Sequence, residues 1–187
     1  MAAARMTPRL RVILVVGGVL IAAALLWRAW LQRDEGPVVT TVPSDSTVTG
    51  LRSTPLWFAS ADGESLVVEL RETPEQPDLH GRVAALVEAL ASGPQGDGVR
   101  VLPVGTRLLH AYLDERGTLT LDLSRAFRQG FRGGARTEEL ALGSLVRTVA
   151  TAVPEARRIR LVCAGAPLAT LGGHFPLDEP LDPDDWP

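Results

Sequence analysis

Three hydrophobic rhythms run along this chain. The first is unbroken: Val12 to Trp27 is VILVVGGVLIAAALLW, and the apolar character carries on through Trp30 and Leu31 with Arg28 as its one charge. The second has the period of a helix: Leu79, Val83, Leu86 and Leu90 recur within Leu79 to Ser92, and Leu142, Val146, Val149 and Val153 recur around Thr137 to Ala152. The third has a period of two, clearest in Thr118 to Leu123, where Leu119, Leu121 and Leu123 alternate with Thr118, Thr120 and Asp122 to give one buried and one polar face.

Turn and cap residues punctuate these segments. Leu56 to Ser60, the turn Ala61-Asp62-Gly63-Glu64 and Leu66 to Thr73 form a hairpin signal, ended by Pro74 and Pro77. Asp78 predicts an N-cap for the first helix and Gly93-Pro94 its stop. Leu102 to Thr106 leads into a strand over Arg107 to Asp114, with Gly105 placed for a type II turn, and Glu115-Arg116-Gly117 turns the chain into Thr118 to Leu123. Ser124 to Arg136 reads as a loop. Thr137 predicts the N-cap of the second helix, with Glu138 and Glu139 at the positive end of its dipole. Pro154 ends that helix, and Arg158 to Ala164 returns as a strand, followed by a short extended piece from Pro167 to Leu171. The order is β-β-α-β-β-α-β: a mixed α/β fold of the α+β class, its helices packed on one face of a small sheet and preceded by one transmembrane helix.

At about 1.5 Å per residue, Val12 to Leu31 is just long enough for a hydrocarbon core of roughly 30 Å. Arg28 can snorkel near the exit, beside Trp27 and Trp30 at the interface. Arg5, Arg9 and Arg11 precede the span, whereas Asp34 and Glu35 offset Arg28 and Arg33 after it, so residues 1–11 are expected in the cytoplasm and the remainder outside the inner membrane. The competing reading is a cleaved secretory signal with Ala22-Ala23-Ala24 as its small-residue site, but Leu25, Leu26 and Trp27 continue the apolar run past it. No cysteine follows the run to accept a lipid. Residues 32–55, rich in Pro, Ser, Thr, Val and Gly from Gly36 onward, have no period that buries a face and read as a tether. The folded domain is expected over 56–181. Proline and Asp182, Asp184 and Asp185 argue against regular structure in the acidic tail, 182–187.

Composition narrows the function classes. The roughly 150 residues outside the span have room for one domain with a proper core. All basic charge is arginine, and beyond the span acidic residues clearly outnumber it with no basic run, which excludes the footprint of a nucleic-acid binder. Cys163 is the single cysteine; it excludes an internal disulfide and reads as a structural thiol in the apolar run from Ile159.

Catalytic constellations are missing. There is no Gly-x-Ser-x-Gly elbow, and without lysine there is no P-loop and no Ser-Lys dyad. His80, His110 and His174 stand far apart with no metal-ligand spacing. Asp122 and Ser124 read as a polar-face residue and a strand-end turn former, since a nucleophile needs an activating base beside it. Asp114-Glu115 and Glu138-Glu139 are accounted for by turn chemistry and the helix dipole. The pairs Gly133-Gly134 and Gly172-Gly173 do not follow a strand as a dinucleotide loop and are expected to supply positive φ. No catalytic, cofactor-binding or metal-ligating residue is assigned, and no cofactor is expected.

The ordered set Leu90-Ala91-Ser92-Gly93-Pro94, Leu102 to Leu109 as LPVGTRLL, and Gly117 to Phe127 as GTLTLDLSRAF resembles the GerMN domain of sporulation and spore germination proteins. The C-terminal half agrees, through Glu139-Leu140-Ala141-Leu142, Leu145 to Val149, Pro154, Ile159 to Val162, Gly165-Ala166-Pro167, Leu171-Gly172-Gly173-His174 and Glu179-Pro180-Leu181. The resemblance implies a small non-enzymatic α/β module, displayed outside the cytoplasmic membrane by a lipid anchor or a transmembrane helix. Its fold is similar to the ring-building modules of secretion assemblies, and the family has no catalytic residue to carry over. This chain shows one such domain and a membrane span where the best-known member has two domains and an acylated cysteine.

These readings converge on a membrane-anchored, single-pass protein-interaction module of the bacterial envelope, with envelope protein partners or self-association, membrane contact through its N-terminal helix, and no nucleic acid. Two alternatives stay open. One is an envelope enzyme, which would need an acid within about 3 Å of a histidine in a pocket. The other is a small-ligand (muropeptide) sensor rimmed by the loops Gln95 to Gly98 and Gln129 to Ala135.

Overall fold

The computed structural model describes residues 50–187. The expected cytoplasmic segment 1–11, the span 12–31 and most of the tether lie outside the described residues. Among the described residues, no helix is long and apolar enough to cross a membrane.

The hairpin signal becomes a two-stranded antiparallel ribbon of β1 (Leu51–Ala59) and β2 (Leu66–Pro74). Strand β1 begins five residues before the expected domain start at Leu56, inside the stretch read as tether. No apolar period marks Leu51 to Pro55, because that end of the ribbon is largely open to water and backbone pairing makes it a strand: Leu51 pairs with Pro74 and Arg52 with Thr73.

Helix α1 (Leu79–Ser92) starts where Asp78 accepts the Gly81 N–H at 2.8 Å. A four-stranded sheet follows in the order β3-β4-β5-β6, formed by β3 (Leu108–Leu113), β4 (Thr118–Leu123), β5 (Arg158–Cys163) and β6 (Ala166–Pro167). Strand β4 runs antiparallel to β3 and parallel to β5. A parallel pair needs a crossover, and α2 (Arg125–Gln129) with α3 (Ala135–Ala152) supplies it. The loop expected over Ser124 to Arg136 thus contains the short helix α2 and the first residues of α3, with a non-helical link between them, and Phe127 and Phe131 within it are buried.

The fold class is α+β, as expected, but with two separate sheets and three helices in place of one small sheet with two. The expected stripe is present: Leu142, Val146, Val149 and Val153 are fully buried, together with Leu119, Leu121 and Leu123 of β4. The burial of α3 goes further and is continuous from Leu140 to Val146, because the ribbon covers a second side of the helix. That side is polar and small. The Ser144 hydroxyl donates to the Trp57 carbonyl at 2.5 Å, and the Trp57 N–H donates to Thr148 Oγ1 at 3.0 Å. At Gly143 a Cβ would stand 3.1 Å from Leu66 Cδ1, so glycine lets the ribbon approach.

These bonds close the outer edge of β1. Trp57 is satisfied by α3, and Ala59 exchanges both backbone bonds with Val99, at 2.7 and 3.2 Å. Pro55, two residues before Trp57, has no N–H to offer on that edge, where a proline is tolerated. The C-terminal tail, expected to lack regular structure, is docked. Leu181 exchanges backbone bonds with Ile159, Pro183–Asp185 form a 3-10 turn, and Trp186 is buried with its carbonyl accepting from Arg147 Nε and Nη2. Proline and charge argue against helices and strands, yet an aromatic residue packs regardless of periodicity.

Replacing Thr148 with Val keeps the shape of the helix and leaves the Trp57 N–H unpaired, at a cost of about 1–3 kcal/mol. Hydrogen exchange should show amides of the ribbon exchanging faster while those of β3 to β5 keep their protection; uniform loss of protection would contradict this local coupling.

Candidate functional site

The residues singled out in the sequence do not gather at one site; folding brings Cys163 to Ser124 and, elsewhere, Glu138 to His174. Asp122 was expected on a polar face; it is buried, and its Oδ1 accepts the Gly165 N–H at 3.0 Å. That bond braces the two-residue turn between β5 and β6, where Ala164 and Gly165 both have positive φ, as a type I′ hairpin demands. His110 stands opposite Asp122 in register but is exposed. The Ser124 hydroxyl accepts from the Arg107 N–H at 3.1 Å and donates to the Gly105 carbonyl at 3.3 Å. It joins the start of β3 to the end of β4 and has no base beside it. Cys163 is half-buried, its thiol 3.6 Å from the Ser124 carbonyl. His80 is exposed on α1.

The residue that sequence reasoning missed is Glu138. Thr137 was expected to cap α3; the cap position is Gly134, with no side-chain bond, and Glu138 turns inward. Its side chain is fully buried. Oε1 accepts from the Leu171 and Gly172 N–H groups at 3.1 and 2.8 Å; Oε2 accepts from the His174 N–H at 3.0 Å and meets His174 Nδ1 at 2.8 Å. Burial pushes the Glu138 carboxyl up, but the Gly172 N–H, the His174 ring and the two other N–H groups outweigh it and hold the group below its ordinary 4.5. The loop is shaped to the carboxylate. Of the two glycine pairs expected at positive φ, only Gly173 has it; at Gly172 a Cβ would meet Phe131 Cε1 at 2.6 Å and Glu138 Oε2 at 2.9 Å, and at Gly133 it would meet the Thr137 side chain at 2.5 Å. No sequence signal distinguishes Glu138 from its neighbour Glu139, which pairs with Arg136 on the surface.

An acid thus lies within 3 Å of a histidine. Both oxygens are occupied by loop N–H groups, the His174 ring is 43% exposed, and neither residue lines the cavities at the ribbon base, beside the C-terminal tail, between α1 and the start of β3, or against Gly96 to Gly98. The arrangement staples the loop after β6 to the start of α3. The proposed sensor rim does not assemble: Gln95 and Gly96 are held on β2 by Glu69, and the groove formed by Gly96 to Gly98 is completed by ribbon residues, with none from 129 to 135. Among the described residues, no group of three His, Cys, Asp or Glu side chains is placed to hold a metal ion.

The open edge of β2 is the feature best suited to contact. Because Trp57 and Ala59 turn their backbone groups away from the ribbon, so do their partners Val68 and Leu66, and by the same alternation Leu70 and Glu72. None of these N–H and C=O groups has a partner among the described residues. Val68 and Leu70 are exposed at 49% and 70%, on the same face as exposed Leu51. Strand β3, an edge of the other sheet, is shorter and carries a register shift between Leu108 and His110, a device that blunts an edge.

Since the folded carboxyl of Glu138 titrates below its unfolded value, the stability it contributes is complete above about pH 4.5 and is lost as the pH falls toward the lower folded value. Glu138→Gln should remove part of that acid dependence and lower stability at pH 7 by about 1–3 kcal/mol, as a buried group loses matched donors. Denaturant melts across pH 3–7 measure both; an unchanged acid limb would show that this carboxylate does not carry it.

Solved structures share this fold. A candidate lipoprotein from Clostridium perfringens matches with a TM-score of 0.52 at 24% identity, over 74% of this chain and 92% of that one. The tandem GerMN domains of the sporulation protein GerM from Bacillus subtilis match with a TM-score of 0.59 at 19% identity, over 73% of this chain and 48% of that one. The first GerMN domain of the same protein matches with a TM-score of 0.55 at 18% identity, over 72% and 99%. No curated protein sequence matches the chain. Residues 55–169, from within β1 to just beyond β6, match the family model described as Germane, sporulation and spore germination, and the chain belongs to that family with a GerMN-like domain.

Proposed function

We propose that this protein is a non-catalytic interaction module of the bacterial envelope, held on the outer side of the inner membrane by the span over 12–31. The observation that carries the reading is the unpaired edge of β2 with Val68 and Leu70 exposed along it. An exposed strand edge offers a row of backbone donors and acceptors to another strand, and neighbouring apolar side chains add burial. The partner is another envelope protein or a second copy of this chain. Family membership and the likeness to GerM, a sporulation protein by its description, support a place in an envelope assembly related to sporulation.

Alternation along β2 gives a sharp test. The Val68 N–H points outward, so Val68→Pro should leave the ribbon folded and block edge pairing; the Val67 N–H points toward β1, so Val67→Pro should destabilise the ribbon by about 3 kcal/mol, the scale of a proline misplaced in regular structure. With a photocrosslinker at Leu70 of the full chain in intact cells, a discrete adduct is expected and should vanish with Val68→Pro. An adduct that persists undiminished in that variant would rule out the edge as the contact.

A further inference from the structure

A cavity of about 530 Å³ opens at the base of the ribbon, between Arg52 to Pro55, Thr73 to Pro77, Arg82 and Leu86 of α1 and the end of α3. Its lining on β2 begins at Thr73, just past the open stretch, but the inference drawn from it rests on side chains of the cleft and not on that edge. Its charged lining is two arginines and one acid: Arg52, Arg82 and Glu75. None of the ion pairs among the described residues involves Arg52 or Arg82. Arg82 Nε is buried and has no hydrogen-bond partner among the described residues; Arg71 Nε is in the same state, but its Nη1 and Nη2 bond the Ala89 and Gly93 carbonyls, whereas no nitrogen of the Arg82 guanidinium has a partner there. A buried guanidinium N–H without a partner is rare in a folded protein, because it has given up water and received nothing in exchange.

The composition of the cavity narrows what satisfies it. The lining has a net charge of one positive, which matches a monoanion and would leave a doubly charged phosphate over-compensated. A guanidinium fork fits the two oxygens of a carboxylate in a bidentate pair. The remaining wall is mixed, with Leu86, Ala152 and the prolines of the ribbon base interleaved with hydroxyl and amide side chains such as Thr151 and Gln76, and the volume is that of a small-ligand site. We propose that this cleft binds the terminal carboxylate of a short uncharged peptide, with Arg82 as its principal anchor, Arg52 reinforcing it, and the peptide body against Leu86 and Ala152.

The test uses the full chain in detergent micelles, titrated by calorimetry with tri-alanine, tri-alanine amide and inorganic phosphate. Tri-alanine should bind, and the amide and phosphate should each bind at least about tenfold more weakly, the scale of one charge-assisted pair. Arg82→Gln should lower tri-alanine affinity by about tenfold or more, and Arg82→Lys should recover only part of it, since an ammonium cannot form the fork. If Arg82→Gln shifts the melting midpoint and so confounds its reading, Arg52→Gln on the exposed side of the cleft should still weaken binding several-fold. Val68→Pro should leave tri-alanine binding unchanged, which separates this site from the edge. Equal affinity for peptide and amide, tighter binding of phosphate, no heat with tri-alanine up to about 10 mM, or full affinity in both arginine variants would each overturn the proposal.

Discussion

Helix α3 is buried on two sides, and the side turned toward the ribbon is joined to it by hydroxyls. Ser144 and Thr148 take the carbonyl and N–H of Trp57, so the helix acts as a neighbouring strand for β1. A two-stranded ribbon alone is marginal in water, and this docking makes it part of the domain. Leu56 and Phe58 then enter the same core as the leucines of β4. With β1 closed by α3 and by Val99, the open edge passes to β2, where Val68 and Leu70 remain in water. Where the molecule can pair with another strand thus follows from where α3 places two small polar side chains.

The same helix organises the other end of the domain. Glu138, one turn into α3, gathers three backbone N–H groups and an imidazole from the loop after β6. A carboxylate with all its near donors supplied by its own chain has little capacity left for a substrate, and the surface position of His174 provides no enclosed site for general-base chemistry. An acid–histidine contact in a small domain invites a catalytic reading; the saturation of the carboxylate argues for a staple. Asp122 repeats the device on a smaller scale, bracing a turn with one buried oxygen.

Solved structures at 18 to 24% identity share the architecture of this chain, which shows how little side-chain identity the fold needs. Helix α1 was legible to the residue, and β4 likewise, because each buries one face with an uninterrupted period and begins or ends at a recognisable signal. Strand β1 was legible only from Leu56, where apolar burial starts. The ribbon edge could be foreseen as a hairpin but not as an open surface, since which strand stays unpaired depends on α3, nearly ninety residues away at Ser144.

What the sequence by itself determined is the local pattern: the apolar run near the N-terminus, the α+β order, the helix and strand cores and the family to which they are similar. Each is written in neighbouring residues, as the spacing of leucines and valines and the residues that stop them. Tertiary structure decided the rest. It split the strands into two sheets, wrapped α3 on a second side, chose Glu138 over Glu139 for burial, docked Trp186 and left two arginines facing one cleft. Those outcomes depend on which backbone amide or side chain arrives from elsewhere in the chain. A buried carboxylate or an unpaired strand edge has no periodicity of its own; it is defined by its partners, and the fold alone brings them or withholds them.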